Sequence, residues 1–222
     1  MFTEVNGMNL FYQKTGGGPP LILLHGNGED HHIFDKAVEV LKDRFTVYAV
    51  DTRGHGQSSP VSAYHYDDMA GDIHGFVLHH GLAKPILYGF SDGGIVGLLL
   101  AAKHPGLLSR LIVSGANTHP SGLKWYWLCL FRVIYALKRS PQFKMMLEEP
   151  DITAGMLRSI TVPAYITAGS RDIISRRHTQ SIHENIPGSS LKIFSGENHG
   201  SYIIGSDKIA RYLIDILAKR AE

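Results

Sequence analysis

The sequence has 222 residues, of which 44% are hydrophobic and 19% are charged, and it includes 24 glycines. This length and composition predict a globular protein of one domain and exclude a disordered, collagen-like or coiled-coil chain. Twenty-two lysines and arginines stand against 20 aspartates and glutamates, which leaves a net charge of +2. So small an excess of positive charge argues against nucleic acid as a partner.

Cys129 is the single cysteine of the sequence, so the chain cannot form an internal disulfide or a cysteine-rich metal site. The first residues show no basic stretch followed by an apolar core, and a signal peptide is therefore not expected. The longest apolar tract, residues 125–137, is interrupted by Arg132 and is shorter than the roughly 20 residues that span a bilayer. These features predict a cytoplasmic protein without a transmembrane segment.

The first elements in chain order are strands. Two alternating runs, 2–5 and 9–13, flank the dipeptide Asn6-Gly7, which accepts the positive φ angles of a tight turn, and they predict a β-hairpin. The continuous apolar run 21–24 is typical of a strand buried on both faces. Helix and strand patterns then alternate, with helices predicted over 32–42, 67–80 and 91–103 and strands over 46–50, 85–88 and 108–114. This alternation predicts a parallel sheet with helices on both faces.

The alternation stops between residues 118 and 160, where aromatic and basic helical stretches appear without a strand pattern. It resumes with a strand at 162–168, a helix at 176–185, a strand at 191–194 and an amphipathic helix at 207–219. The sequence therefore predicts an α/β core formed by residues 1–117 and 161–222, with a short helical cap inserted as residues 118–160.

A serine lies between the predicted strand at 85–88 and the helix that follows it, in the sequence Gly89-Phe90-Ser91-Asp92-Gly93. A G-x-S-x-G turn in this context holds the serine hydroxyl exposed on a strained backbone, with glycines that let strand and helix approach closely. The main-chain amide of Asp92, at the helix start, is then directed at a developing oxyanion. The sequence predicts Ser91 as a nucleophile.

A serine nucleophile needs a base, and the base needs an acid that orients it. Asp172 follows the strand at 162–168 and His199 follows the strand at 191–194, so the chain order is serine, acid, histidine. A His-Gly-Asn-Gly sequence at 25–28 follows the first buried strand, and the amide of Asn27 is predicted as the second donor of an oxyanion hole.

Together with the loop 51–58, Asp-Thr-Arg-Gly-His-Gly-Gln-Ser, these motifs resemble the α/β-hydrolase superfamily over nearly the whole chain. Within it, the sequence is similar to small bacterial hydrolases related to carboxylesterases, proline iminopeptidases and cofactor-free haloperoxidases. The resemblance implies the α/β-hydrolase fold, with a mostly parallel central sheet, an antiparallel N-terminal hairpin, helices on both faces and a small helical cap. It also implies a triad of Ser91, Asp172 and His199, an oxyanion hole from the amides of Asn27 and Asp92, and no cofactor.

Two further statements follow from the resemblance. Epoxide hydrolases and haloalkane dehalogenases resemble this pattern with an aspartate where Ser91 stands, which excludes them. Loop 51–58 resembles a structural feature of the superfamily, so Arg53 and His55 are assigned no catalytic role.

Thirteen histidines raise the question of a metal site. Adjacent residues on a helix point about 100° apart, so neither His31-His32 nor His79-His80 is expected to converge on one ion. No H-E-x-x-H sequence is present either, and no metal is predicted.

Tract 125–139 is apolar on almost every side, so a helix there is expected to bury more than one face. One interpretation is a cap helix packed on the core. The other is that its side chains also line an apolar acyl pocket, with Trp127 and Phe131 as candidate substrate contacts, or form a dimer or membrane-surface contact. A homodimer through the cap is thus one predicted assembly, and Cys129 is interpreted as lining or packing the cap.

These residues predict a serine hydrolase that cleaves a small or medium acyl ester through an acyl-enzyme on Ser91. Two alternatives stay open. An aminopeptidase of the proline iminopeptidase kind would share the triad and bind a substrate amine through a cap carboxylate such as Glu148 or Glu149. A non-enzymatic ligand-binding protein would keep the triad without fast turnover, since hormone receptors of the resembling fold sense ligands in the same pocket.

Overall fold

The computed structural model describes residues 1–218, and its centre is a sheet of eight strands. The strands are β1 (Phe2–Val5), β2 (Met8–Thr15), β3 (Pro20–Leu24), β4 (Thr46–Val50), β5 (Ile86–Phe90), β6 (Arg110–Ser114), β7 (Ala164–Gly169) and β8 (Ser190–Phe194). Their order across the sheet is β1-β2-β4-β3-β5-β6-β7-β8. The β1–β2 and β2–β4 pairs are antiparallel and the remaining pairs are parallel, which confirms the predicted fold class.

The hairpin and the first parallel strand fold as their sequences predict. Asn6 and Gly7 connect β1 to β2 with φ angles of 51° and 74°, the left-handed pair typical of a two-residue hairpin turn. Along β3, successive side chains enter different hydrophobic clusters, with Leu21 on one face of the sheet and Ile22 on the other. Burial on both faces explains why this run is apolar without alternation.

Helices cover both faces of the sheet. α1 (Asp35–Leu41) and α8 (Lys208–Ala218) contribute to the cluster on the Leu21 face. α2 (Tyr66–His79), α3 (Asp92–Lys103) and α7 (Arg176–Asn185) contribute to the cluster on the Ile22 face. A 3-10 helix, His31–Phe34, precedes α1. The predicted end of the last helix at Lys219, and the predicted core residues up to 222, lie outside the described residues.

The described residues between 118 and 160 form helices, as predicted: a 3-10 helix (Pro120–Gly122), α4 (Trp125–Lys138), α5 (Pro141–Glu148) and α6 (Ala154–Arg158). The last part of this segment packs into the core, because Met145, Leu157 and Ile160 are buried in the same cluster as α2 and α3. The division of the chain into core and cap at 117 and 161 stays a prediction.

α4 buries much less of its surface than its sequence predicts. Phe131 is the buried residue of this helix, whereas Trp125 and Leu137 are 76% and 81% exposed. The expectation that α4 buries more than one face is therefore wrong, since one side meets α5 and the other side packs against nothing in residues 1–218. Cys129 is exposed, so its interpretation as a lining or packing residue is wrong as well.

The outward side of α4 does not make it a membrane-spanning segment, because none of the helices between residues 1 and 218 is both long enough and apolar enough to cross a membrane. The homodimer through the cap stays a prediction.

The parallel strands bring the predicted site residues to one edge of the sheet. Asn27, Ser91, Asp172 and His199 each lie in the segment that follows one of the parallel strands β3, β5, β7 and β8. Because parallel strands all end at the same edge, these four segments meet there. Ligands of open α/β sheets bind at this edge.

Candidate active site

Ser91 lies in the turn between β5 and α3 with φ 52° and ψ −114°, a conformation that is strained for a residue with a side chain. The flanking glycines allow this turn to close. A Cβ on Gly89 would lie 2.1 Å from the carbonyl oxygen of Gly93, and a Cβ on Gly93 would lie 2.3 Å from that of Leu24. Both distances are far inside van der Waals contact, so the G-x-S-x-G spacing is a steric requirement of this turn.

His199 lies between Ser91 and Asp172. Its Nε2 is 3.0 Å from Oγ of Ser91, and its Nδ1 is 2.7 Å from Oδ1 of Asp172. A neutral imidazole that donates Nδ1–H to the carboxylate presents Nε2 as an acceptor to the serine hydroxyl. The structure thus brings together the three predicted residues in the hydrogen-bonding order that deprotonation of a serine needs.

Asp172 is 2% exposed and is held by two main-chain amides besides His199. The N–H of Ile174 donates to Oδ1 at 3.0 Å and the N–H of Gly169 donates to Oδ2 at 3.3 Å. Burial acts to raise the pKa of Asp172, but the hydrogen bond and charge of His199 and the two amides outweigh it and lower this pKa below its ordinary value. The carboxylate therefore stays ionised beside the imidazole at neutral pH.

Two main-chain N–H groups near Ser91 are unused. Among residues 1–218, neither the amide of Asn27 nor that of Asp92 donates a hydrogen bond to another protein group. Asn27 lines the same cavity as Ser91, and Asp92 is the first residue of α3, where an N–H has no acceptor within the helix. Both amides are therefore available to a negatively charged oxygen.

The side chain of Asp92 connects these two donor segments, a role that the sequence analysis missed. Nδ2 of Asn27 donates to its Oδ2 at 2.9 Å, and the hydroxyl of Tyr66 donates to its Oδ1 at 2.8 Å. Burial raises the pKa of Asp92, and the hydrogen bonds from Asn27 and Tyr66 offset part of this rise. The N–H of Gly93 also donates to the carbonyl of His25 at 3.0 Å, so the loop after β3 and the start of α3 keep a fixed separation.

A cavity of about 240 Å³ opens beside Ser91 and His199. Its apolar lining comes from β5, the cap helices and the loops after β7 and β8: Phe90, Phe131, Phe143, Met146, Ile173 and Ile204. Of the two cap residues predicted as substrate contacts, the structure places Phe131 in this lining and Trp127 outside it. Trp127 instead packs on Phe131, with ring centroids 6.1 Å apart.

The acidic side chain of this cavity is Glu29, which the sequence analysis did not single out. The signal that would have found it is its place two residues after Asn27, in the turn that also supplies the predicted oxyanion donor. The cap carboxylates predicted for the alternative activity lie elsewhere. Glu149 accepts hydrogen bonds from Nδ1 of His65 at 2.6 Å and from the N–H of Tyr66 at 3.1 Å, and Glu148 is exposed beside Lys144.

His31 and His32 lie closer together than predicted. Their ring centroids are 4.0 Å apart, and the candidate ligand atoms of Asp30 and the two histidines lie within 4.8 Å of one another. The expected divergence of this pair is therefore wrong. Each ring forms a hydrogen bond with a different aspartate. Nδ1 of His31 lies 2.8 Å from Oδ1 of Asp51, and Nδ1 of His32 lies 2.9 Å from Oδ1 of Asp30. The absence of a metal stays a prediction.

Loop 51–58 is tied to the core by ion pairs and hydrogen bonds. Nε and Nη2 of Arg53 donate to the two carboxylate oxygens of Asp72 at 2.6 and 2.7 Å. The N–H of Thr52 donates to Nε2 of His25 at 3.1 Å. These contacts give Arg53 a structural partner away from the cavity.

Comparisons with known proteins agree with this fold. A family model described as the alpha/beta hydrolase fold matches residues 19–126. The chain is 29% identical to serine hydrolase BPHL of Homo sapiens, covering 96% of this chain and 84% of that protein. It is 28% identical to the AB hydrolase superfamily protein YisY of Bacillus subtilis, covering 91% of this chain and 92% of that protein. The crystal structure of the enol-lactonase from Burkholderia xenovorans superposes with a TM-score of 0.83 at 21% identity, covering 99% of this chain and 100% of that one.

The strand order, the serine turn and these matches define a hydrolase of the α/β fold. The chain belongs to the α/β-hydrolase superfamily. The superfamily named from the sequence motifs is thereby confirmed.

Proposed function

We propose that this protein is a serine hydrolase that cleaves small or medium acyl esters through an acyl-enzyme on Ser91. The observation that carries the proposal is the series of hydrogen bonds from Oγ of Ser91 to His199 at 3.0 Å and from His199 to Asp172 at 2.7 Å. The series lies beside an apolar cavity and two unused main-chain amides. Acyl transfer needs these parts together: a nucleophile, its base, an acid that orients the base, and donors for the oxyanion.

Acylation begins when Nε2 of His199 takes the proton of the Ser91 hydroxyl as Oγ bonds to the ester carbonyl carbon. The electron pair of the carbonyl moves onto its oxygen, which accepts hydrogen bonds from the amides of Asn27 and Asp92. The oxyanion then collapses, the bond to the alcohol oxygen breaks, and His199 gives its proton to that oxygen. Asp172 stays ionised and stabilises the imidazolium that forms.

Deacylation repeats these steps with water in place of serine. Nε2 of His199 takes a proton from the water, whose oxygen bonds to the acyl carbon. The second tetrahedral oxyanion uses the same two amides. Its collapse breaks the bond to Oγ of Ser91, which recovers its proton from His199 and releases the carboxylic acid.

The cavity supports a small or medium acyl group. Its volume of about 240 Å³ lies below the roughly 300–1,000 Å³ of sites for drug-sized ligands, and its lining is mostly aromatic and aliphatic. The aminopeptidase alternative loses the support it had in the sequence, because neither Glu148 nor Glu149 lines the cavity. The ligand-binding alternative predicts binding in the same cavity without fast turnover, so turnover measurements distinguish it from the proposal.

A panel of p-nitrophenyl esters, lactones and aminoacyl anilides, combined with fluorophosphonate labelling, tests this function. We expect multiple turnovers on short and medium esters, and labelling that disappears in Ser91→Ala. No turnover on any ester, or labelling that survives in Ser91→Ala, would contradict the proposal. Hydrolysis of the anilides alone would favour the aminopeptidase.

A further inference from the structure

Glu29 is a partly buried carboxylate in the lining of the catalytic cavity. The main-chain N–H of Gly26 donates to its Oε2 at 3.0 Å, and the N–H of Glu29 donates to the carbonyl of Gly26 at 3.3 Å. This pair of hydrogen bonds closes a small ring that fixes the carboxylate. Within residues 1–218, its second oxygen, Oε1, has no protein donor. The carboxylate is thus positioned while half of its hydrogen-bonding capacity is free.

The carboxylate lies close to the nucleophile. A methyl group on Gly26 would come within 2.8 Å of Oε2 of Glu29 and within 3.1 Å of Cβ of Ser91. A single carbon position therefore separates the two side chains. An acyl group bonded to Oγ of Ser91 has Glu29 as a neighbour.

Within residues 1–218, no lysine or arginine donates a hydrogen bond to Glu29. No lysine or arginine of the described chain lines this cavity. Burial raises the pKa of Glu29, and the charges of Asp92 and Asp30 act in the same direction, while the Gly26 amide and His199 act against it. A partly buried carboxylate without a lysine or arginine partner is unfavourable, and a cation from a ligand would relieve this cost.

A purely structural role does not account for the charge. The hydrogen bond from Gly26 needs only an acceptor oxygen, which a neutral amide side chain also offers. A negative charge beside the reacting carbonyl opposes the oxyanion of the tetrahedral intermediate, but it also favours the imidazolium of His199 that forms with that oxyanion. These two effects offset each other for an uncharged ester, whereas a substrate with a positive charge gains the attraction of the carboxylate in addition.

We infer that Glu29 is a specificity-determining residue and that the enzyme acts on esters carrying a cationic nitrogen near the reacting carbonyl. This inference rests on the proposed ester hydrolysis at Ser91. The carboxylate pairs with the cation, and the aromatic and aliphatic lining contacts the carbon atoms around the nitrogen. An acyl group that ends in a carboxylate is repelled by the same charge.

Isosteric esters test the inference, because they differ in charge and hardly in shape. On the alcohol side, acetylcholine is compared with 3,3-dimethylbutyl acetate. On the acyl side, methyl 4-(trimethylammonio)butanoate is compared with methyl 5,5-dimethylhexanoate. The measured quantity is the ratio of kcat/KM for the cationic ester to that for its neutral isostere. Quaternary nitrogens do not titrate, so the ratio reports the charge of the protein.

We expect the wild-type ratio to exceed one for at least one pair, and Glu29→Gln to lower that ratio by about tenfold or more. Glu29→Gln should change kcat/KM for the neutral ester much less, because the effects of the charge on the oxyanion and on the imidazolium of His199 offset each other. Glu148→Gln removes a carboxylate from the exposed end of α5 and is the matched control, with an unchanged ratio expected. An equal loss on cationic and neutral esters in Glu29→Gln would show that Glu29 only positions its loop, and the inference would be wrong.

The two proposals fail in different ways. If wild-type protein hydrolyses none of these esters, the proposed function is wrong and the inference falls with it. If neutral esters are hydrolysed through Ser91 with ratios at or below one, only the inference is wrong. Binding of choline and of 3,3-dimethylbutanol to Ser91→Ala, followed by NMR, gives a readout without turnover. Tighter binding of choline that is lost in the Ser91→Ala, Glu29→Gln double variant supports the inference, and equal binding contradicts it.

Discussion

Gly115, the first residue after β6, lies directly against the imidazole ring of His199. A Cβ on Gly115 would lie 2.8 Å from Cε1 of the ring and 2.9 Å from its Nδ1. Gly115 also has φ 61°, a left-handed conformation that glycine adopts without strain. The absence of a side chain at this position therefore leaves room for His199 to reach both Asp172 and Ser91.

Gly115→Ala is expected to displace the His199 ring and to lower kcat by roughly 10²-fold, the scale of a misplacement of about 1 Å in an active site. Steady-state kinetics on the best ester of the panel measures the effect. Gly188→Ala is the matched control, because Gly188 has φ 67° and a Cβ there meets no atom within 4 Å. Both variants place alanine at a positive φ angle, but only the new methyl group of Gly115→Ala collides with the His199 ring. Equal activity in the two variants would show that the ring tolerates the methyl group.

Ser91→Gly is expected to be more stable than Ser91→Ala by about 1 kcal/mol in the free energy of unfolding. Glycine relieves the strain of φ 52° and ψ −114°, worth roughly 1–3 kcal/mol, and loses part of this gain through its flexibility in the unfolded chain. Both variants lack the nucleophile, so neither should turn over an ester or react with a fluorophosphonate. Urea unfolding at neutral pH measures the difference. A less stable glycine variant would mean that the turn is not strained.

Asp172→Asn is expected to lower kcat by up to about 10⁴-fold, since an uncharged amide does not stabilise the imidazolium and its NH2 group donates to Nδ1, which holds the imidazole in the wrong tautomer. It also changes the dependence of stability on pH. The pKa of Asp172 is lowered in the folded state, so its ionisation stabilises the fold above its ordinary pKa of 3.8. This stabilisation is lost as the pH falls through the lowered pKa of the folded state.

The difference in unfolding free energy between wild type and Asp172→Asn should therefore be about 1–3 kcal/mol at pH 7 and should narrow below about pH 4. Urea unfolding from pH 7 to pH 3 measures it. Asp215→Asn, at an exposed carboxylate, is the control and should differ little from wild type at any pH. If the difference in unfolding free energy widens below pH 4 instead, folding does not lower the pKa of Asp172 and the prediction is wrong.

Local sequence determines the strands and the serine turn, which is why both are predictable. β3 is apolar at every position because both of its faces are buried, and Gly89 is required by its close approach to Gly93 in the same turn. Gly93 is required by its close approach to Leu24 of β3. The burial of α4 depends on which other elements reach it, and a tract that is apolar on every side has no periodicity to reveal this. Trp127 and Phe131 are equally apolar, yet tertiary packing places only Phe131 in the cavity lining.

Residues that act through contacts between distant segments were not predictable from patterns. Gly115 matters because the end of β6 contacts the His199 ring in the loop after β8. Tyr66 matters because the start of α2 lies close enough to the start of α3 for its hydroxyl to donate to Asp92. Glu29 is an intermediate case, because its place two residues after Asn27 is visible in the sequence, whereas the fold shows that its side chain lies near Ser91. Ser91, Asp172 and His199 lie in recognisable motifs, whereas the residues that contact them from other segments are placed by tertiary packing.

Phe131→Ala is expected to shift the acyl preference toward longer chains, because it removes a ring from the cavity lining and enlarges the space for the acyl group. One methylene contact in an apolar pocket changes the transition-state free energy by about 1–3 kcal/mol, so the ratio of kcat/KM for octanoate to butyrate esters should rise at least severalfold. Activity on acetate esters should stay within roughly tenfold, since the triad is untouched. Trp125→Ala removes an aromatic ring of the same helix that is 76% exposed and lies outside the lining, and its chain-length profile should match wild type. Superimposable profiles for Phe131→Ala and Trp125→Ala would show that the acyl chain does not contact α4.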